Sequence, residues 1–322
     1  MLSSRFSCCA RLIRDKKPSS VFTISTRAFI TSWAHIPQGP PDAILGITDA
    51  YKKDVHPKKM NLGVGAYRDD NGKPYVLNAV RKAEKKVTQD QLDKEYLPIT
   101  GLSSFTKEAA LLAYGKDSEP LQEGLIYFPT PTWGNHGAVF RDSGFEIGQY
   151  RYFDKSTNGL DFEGFVDDIK NAPKNSIFLL HACAHNPTGV DPTPQQWDQI
   201  STIIKERGHF PFFDMAYQGF ASGDINRDAY AIRKFVADGH RIALSQSFAK
   251  NMGLYGERIG AFSLITESLK EKAAVDSQLK LVIRPMYSNP PINGARIASY
   301  VLSDPELYQE WQAFQYIFYD YL

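Results

Sequence analysis

Three polar residues, Asn186, Asp214 and Lys250, recur just after short apolar segments: Leu179-Leu180-His181, Phe210–Phe213 and Arg241–Gln246. Each has an ordinary reading. An Asn before Pro is a turn residue, an Asp after an apolar strand caps a helix, and a Lys is solvated surface. Taken together, a carboxylate and a primary amine brought to one crevice suit a cofactor with an aldehyde to be held and a ring nitrogen to be kept protonated. Pyridoxal phosphate has that chemistry. Ser247 and Arg258 lie close in sequence to Lys250 and suit a phosphate, Arg because its planar fork matches an anion. Tyr217, three residues after Asp214, is placed to bond a ring oxygen. Trp133 is either a stacking group or a packed loop residue.

Positioning these groups requires a regular scaffold. Ser176–His181 reads as a buried strand, followed by the loop Ala184–Gly189. Pro194–Arg207 carries Pro at a helix start and apolar residues at helical spacing. A strand over Phe210–Phe213 ends on Asp214, a helix covers Arg227–Ala237, and a third strand, Arg241–Gln246, runs into Ser247–Lys250. Upstream, Asn78–Asp90 and Gly101–Tyr114 show helical spacing, and Lys59–Tyr67 reads as a short strand or loop. Strands alternating with helices predict an α/β domain whose mostly parallel sheet is sandwiched by helices. Ligands bind such sheets outside the carboxyl ends of the strands, where the three polar residues fall.

Composition narrows the function. Among 322 residues, 37 Lys+Arg balance 36 Asp+Glu, which gives no reason to expect a nucleic-acid partner. No apolar run approaches the ~20 residues of a membrane span. Only Cys183 lies outside the N-terminal segment that holds Cys8 and Cys9, so no disulfide framework is expected, and no metal-ligand motif stands out. Residues 1–30 hold Arg5, Arg11, Arg14, Lys16, Lys17 and Arg27 against Asp15 alone. A basic, Ser-rich leader without an apolar core predicts a mitochondrial transit peptide and a matrix location. Removing its six positive and one negative charges from +1 leaves −4.

Four stretches carry a family resemblance: Leu179–Pro192 (LLHACAHNPTGVDP), Phe212–Asp224 (FFDMAYQGFASGD), Ser247–Gly260 (SFAKNMGLYGERIG) and Arg284–Pro291 (RPMYSNPP). They resemble the aspartate aminotransferase family, and with the leader its mitochondrial branch. The resemblance implies a fold-type I pyridoxal phosphate enzyme and a homodimer with sites at the subunit interface. Its reaction is ping-pong transfer of an amino group between aspartate and 2-oxoglutarate, a dicarboxylic amino acid and a 2-oxo acid, giving oxaloacetate and glutamate. By matching position, Lys250 is similar to the lysine that holds the cofactor and moves the proton, and Asp214 to the partner of the ring nitrogen. Asn186 and Tyr217 resemble the donors to the ring 3-oxygen, and Trp133 the stacking lid. Ser247 and Arg258 resemble phosphate ligands, joined by Tyr96 from the other subunit. Arg284 looks like the residue that crosses the interface to bind the substrate's distal carboxylate, and Gly65 like a substrate-contacting backbone position.

The resemblance divides the chain into a leader (1–30), an N-terminal arm with a small-domain segment (31–75), a cofactor-binding large domain (76–311) and a tail (312–322) without family likeness. Between Gly124 and Leu125 a unit of about 30 residues, the size of a strand plus a helix, is expected to be absent. With it would go a Ser-Gly-Thr-Gly turn whose helix N-terminus holds the phosphate. The arginine for the substrate's α-carboxylate is not found in the sequence. Competing readings are a non-catalytic dimer partner, an unstable truncated form, or a decarboxylase on the same fold. Arg284 argues against the last, because a dicarboxylate clamp has no use there. The tail Phe314–Leu322 is strongly aromatic and is expected to expose an aggregation-prone surface.

Overall fold

The computed structural model describes residues 47, 51–60, 67–93, 95, 97–98, 101–114 and 125–320. The leader, Gly65, Tyr96 and the junction at Gly124 lie outside the described residues. Contacts divide the chain into two units, Met1–Lys59 and Met60–Leu322. In the first, the Lys59 ammonium donates to the carbonyls of Tyr51 and Asp54 at 2.8 and 2.7 Å.

The second unit opens with α1 (Asn78–Gln89) and α2 (Ser103–Tyr114), then β1 (Leu125–Thr130), α3 (His136–Asp142), β2 (Ile147–Arg151), β3 (Phe153–Asp154) and β4 (Gly159–Leu160). It continues with α4 (Phe162–Asn171), β5 (Ser176–His181), α5 (Pro194–Arg207), β6 (Phe210–Met215), α6 (Ile225–Asp228), α7 (Tyr230–Ala237) and β7 (Ala243–Ser247). It ends with β8 (Gly260–Leu264), α8 (Leu269–Tyr287), α9 (Asn293–Ser303) and α10 (Pro305–Asp320). The main sheet runs β2-β1-β5-β6-β7-β8. All neighbours pair in parallel except β7 and β8, which are antiparallel. Every residue of β5 is buried, as expected for a central strand covered on both faces.

The α5 boundaries match the sequence signals. Thr193 forms a capping box with Gln196, Pro194 opens the first turn, and Gly208 closes the helix in the left-handed region at φ 68°, a conformation glycine adopts without a Cβ clash. The single helix expected over Arg227–Ala237 is instead two, α6 and α7, which meet at Ala229. Asp224 starts α6 by accepting the N–H groups of Asn226 and Arg227 at 2.6 and 3.1 Å. Asp228 is 4% exposed and turns inward, accepting from the Gly219 and Ala221 amides and the Ser222 hydroxyl at 2.7, 3.1 and 2.5 Å. The break in the helix thereby shapes the loop that follows β6.

Two apolar clusters form the core. One fills the sheet and its covering helices around Ile126, Phe178, Phe213, Leu244 and Phe235. The other joins α1, α2, α9 and α10 to Phe248, Met252 and Leu254 beside Lys250. The aromatic tail is partly packed and partly open: Tyr316 is 61% exposed. Phe314 stacks on Tyr75 with ring centres 5.4 Å apart, Trp311 donates to the Asn251 carbonyl at 2.8 Å, and Gln315 is fully buried. α10 carries these side chains into the second cluster because an apolar face gains more by burial than the tail gains by staying solvated. By contrast α8 has no buried residue and exposes Leu281, Val282, Met286 and Tyr287.

Candidate active site

Parallel register sets His181, Asp214 and Ser245 side by side across β5, β6 and β7. Their strand ends supply the floor of the site. Ser247 ends β7, and three residues later Lys250 lies in the turn that follows.

The environment of Lys250 is that of a working amine. It is half-buried and stands 5.9 Å from the Tyr217 ring centre. Burial lowers its pKa, Asp214 opposes that shift, and Arg258 adds to it. A lowered ammonium pKa puts more of the amine in its nucleophilic, proton-accepting form near neutrality. The Tyr217 hydroxyl is pushed up by burial, with Tyr255, Asp214 and Cys183 adding, so it stays a proton donor.

One side of Asp214 is held by an oriented hydrogen-bond relay. The Asn186 backbone N–H donates to His181 Nδ1 at 3.2 Å, which makes that nitrogen an acceptor and puts the ring proton on Nε2. His181 Nε2 then donates to the Thr132 hydroxyl at 3.3 Å, Thr132 donates to His136 Nδ1 at 2.8 Å, and His136 Nε2 donates to Asp214 Oδ2 at 3.2 Å. One backbone amide thus fixes both tautomers. Burial pushes His181 down to about 4, against the pull of Asp214 and with His136 adding, so it sits in the relay as neutral imidazole. His136, His181 and Asp214 bring ligand atoms within 4.8 Å of one another, but both nitrogens of each ring are engaged in the relay, leaving the imidazoles no free lone pair for a metal.

The other expected residues divide into those at this site and those elsewhere. Trp133 is 41% exposed and meets His136 edge-on at 5.2 Å, leaving a face of its indole open. Asn186 is partly exposed, and among the described residues its carboxamide has no hydrogen-bond partner. Ser247 Oγ accepts the Ala249 amide at 3.3 Å. Arg258 is exposed, sits at φ 51° and donates to the Tyr255 carbonyl at 3.1 Å; among the described residues its fork meets no carboxylate. Arg284 is not with them. It lines a separate cavity of about 890 Å³ with Glu95, Tyr287 and Ser288, and it donates to the Ser288 hydroxyl.

Sequence reasoning passed over Thr132, His136 and His181. A signal existed: Thr132 and His136 bracket Trp133 one helical turn apart, and His181 ends an otherwise apolar strand. A polar residue at such a strand end faces the ligand crevice.

The family described as Aminotransferase class I and II matches residues 57–124 and 121–316, in two segments that meet at 121–124. A mitochondrial aspartate aminotransferase of Xenopus tropicalis is 54% identical over 308 aligned positions, covering 87% of this chain and 72% of that protein. One from Gallus gallus is 54% identical over the same length, covering 87% and 73%. Among solved structures, the broad specificity aminotransferase of Leishmania mexicana superposes with a TM-score of 0.85 at 41% identity, covering 90% of this chain and 78% of that one. The cytoplasmic aspartate aminotransferase of Saccharomyces cerevisiae gives 0.84 at 41%, covering 89% and 78%.

Proposed function

The chain belongs to the class I and II aminotransferase family, and from that premise we propose that it is a pyridoxal phosphate-dependent aspartate transaminase. It moves the amino group between aspartate and 2-oxoglutarate, giving oxaloacetate and glutamate. The observation that carries this reading is the half-buried, pKa-lowered Lys250 amine beside a carboxylate, Asp214, that the relay orients. The non-catalytic and unstable alternatives are not favoured beside 54% identity to proteins named for this activity.

The donor set fits the cofactor: a free amine for an aldehyde, an anion for a ring nitrogen, an unengaged carboxamide and a phenol for a ring oxygen, and an exposed guanidinium for a phosphate. When bound, pyridoxal phosphate supplies an electron sink for the charge left when the substrate's Cα loses its proton. Lys250 takes that proton and returns it, which its lowered pKa suits. Asp214, steadied by His136, offers the charge that holds the ring nitrogen protonated. Asn186 and Tyr217 donate to the ring oxygen, Trp133 covers the ring, and Ser247 and Arg258 hold the phosphate.

Tyr96 and Gly65 enter on sequence alone, as a phosphate contact from the other subunit and a substrate contact. Arg284 recognises the substrate's distal carboxylate from a partner copy, consistent with its place away from Lys250. A homodimer is supported by the exposed apolar residues of α8 around Arg284. The 1–30 leader and the mitochondrial names of the relatives support a matrix location. The family match, split at 121–124, supports a shortened phosphate cradle at the junction of Gly124 and Leu125.

The test is the absorbance of the purified chain with pyridoxal phosphate, before and after aspartate, beside Lys250→Ala. The expected result is a visible band that requires Lys250 and bleaches with aspartate. A soluble protein with no such band would refute the reading.

A further inference from the structure

We infer that Asp191 is a positioning residue for both cofactor-facing ends of the site, Asn186 and Asp214, an inference that rests on the reading of those two residues just given. After β5 the chain passes through Ala184, a non-glycine residue at φ 45°, which carries a local steric cost. Asp191 holds that turn. One carboxylate oxygen accepts the Ala184 N–H at 2.6 Å and the other accepts the His185 N–H at 2.9 Å.

The ordinary role of an Asp just ahead of a helix is excluded, because the cap of α5 is Thr193. An ion-pair role is excluded too, since among the described residues no Lys, Arg or His lies within salt-bridge distance of it. Burial raises the Asp191 pKa, and the two amide hydrogen bonds oppose that shift.

The loop is clamped from below as well. The Tyr152 ring stacks on the His185 ring at 3.9 Å and its hydroxyl donates to the Val190 carbonyl at 2.6 Å. His185 Nδ1 meets the Thr188 hydroxyl at 2.7 Å. The next residue, Asn186, is partly exposed and directs its backbone amide into His181, the start of the relay that ends on Asp214. Moving the Ala184–His185 peptides therefore moves the donor to the ring oxygen and disturbs the tautomer chain behind the ring-nitrogen partner. The grip of one carboxyl group on two peptides is thus transmitted to both sides of the ring.

The experiment compares wild type, Asp191→Asn, Asp191→Glu and Thr193→Ala, each loaded with pyridoxal phosphate. The readouts are the pH midpoint of the Lys250-dependent visible band, amide hydrogen exchange at 184–186, and Tm. Asp191→Asn sets an NH₂ group against one of the two amides. It is expected to raise the band's midpoint by about 0.5 unit or more, a threefold change in the proton equilibrium, and to speed exchange of the Ala184–Asn186 amides at least ~10-fold. Asp191→Glu keeps the charge but displaces the oxygens by a methylene, and is expected to shift the midpoint in the same direction. Thr193→Ala, which loosens only the helix start, is expected to lower Tm and leave the midpoint alone. If the Asp191 variants lower Tm but keep the wild-type midpoint, or if only the charge change moves it, the positioning role is wrong. If wild type shows no Lys250-dependent band, the functional reading itself fails, and the absent band separates that result from the first.

Discussion

Asp214→Asn is expected to make Lys250 a stronger nucleophile while abolishing efficient turnover. In the cofactor-free protein the carboxylate is the group that holds the Lys250 pKa up, against burial and Arg258. A neighbouring opposite charge moves a pKa by roughly 1–3 units, most when both groups are dry. Here the Asp214 side chain is 28% exposed and Lys250 is half-buried, so the lower end applies. A drop of about 1 unit is tenfold more free amine at neutral pH. The substitution preserves geometry, because the oxygen of the introduced carboxamide still accepts from His136 Nε2. The assay is the pH dependence of reductive methylation of Lys250 in the apoprotein, read by mass spectrometry. In the same variant, loss of the charge proposed to hold the ring nitrogen protonated is expected to cost transamination about 10²–10³-fold. A Lys250 midpoint that stays put or rises would refute the electrostatic account of the site, whatever happens to turnover.

Further outcomes follow from the same geometry. His181, His185 and His240 are held at about 4, 3 and 4 by burial, below the ordinary ~6.5. The unfolded chain therefore binds up to three more protons, and stability is lost as pH falls from ~6.5 towards ~4, by about 4 kcal/mol per unit at most; urea titrations should lose about a third of that slope in His240→Gln. Thr193→Ala removes the capping box of α5 and is expected to cost about 1 kcal/mol, a fall of ~2–4 °C in Tm by calorimetry. Gln315 buries both amide atoms without a partner, so Gln315→Met should stabilise by about 1–2 kcal/mol in denaturant unfolding. If the phosphate cradle is shortened as proposed, isothermal titration is expected to find pyridoxal phosphate held through Lys250, and Arg258→Gln to weaken it at least ~10-fold, since one charged hydrogen bond is worth roughly 1.5–3 kcal/mol.

Much of the scaffold is legible in the sequence because its signals are local. Ser176–His181 and Pro194–Arg207 appear as read, one as a continuous apolar run and the other between a capping box and a terminal glycine. The strands β1, β2 and β8 are less legible. β1 contains Pro129, β2 contains Gly148, and the Tyr127 ring occupies the space a side chain at Gly148 would take. Such packing is settled by a neighbouring strand and leaves no periodic mark. The split between α6 and α7 was hidden for a similar reason: Asp228 fits a helix surface, and only its buried bonds to the 219–222 turn explain the break. Asn186, Asp214 and Lys250 could be picked out because polar types end apolar segments. His181 carries the same mark, but the link from it through Thr132 to His136 is not legible, because it lies in hydrogen bonds between residues 4 and 49 positions apart.

The relay resolves a conflict built into the site. On the proposed reading Asp214 serves a ring nitrogen as an anion, yet it stands beside an amine whose usefulness depends on losing its proton. A cationic partner for Asp214 would secure the anion, but it would also compete for the charge that sets the Lys250 pKa, and as a strong donor it would saturate the carboxylate. An imidazole that accepts through Nδ1 gives the carboxylate a single donor instead. His136 gives one directed bond, to Oδ2. That bond keeps its direction only while His136 carries its proton on Nε2, which requires Thr132 to donate to Nδ1, His181 to donate to Thr132, and a backbone N–H to hold His181 Nδ1 as an acceptor. A backbone amide cannot reverse its polarity, so anchoring the chain at Asn186 fixes the sense of every bond up to the carboxylate. The cost is sensitivity to the loop that carries that amide, and this is why the grip of Asp191 on Ala184 and His185, although it touches no reacting atom, belongs to the chemistry.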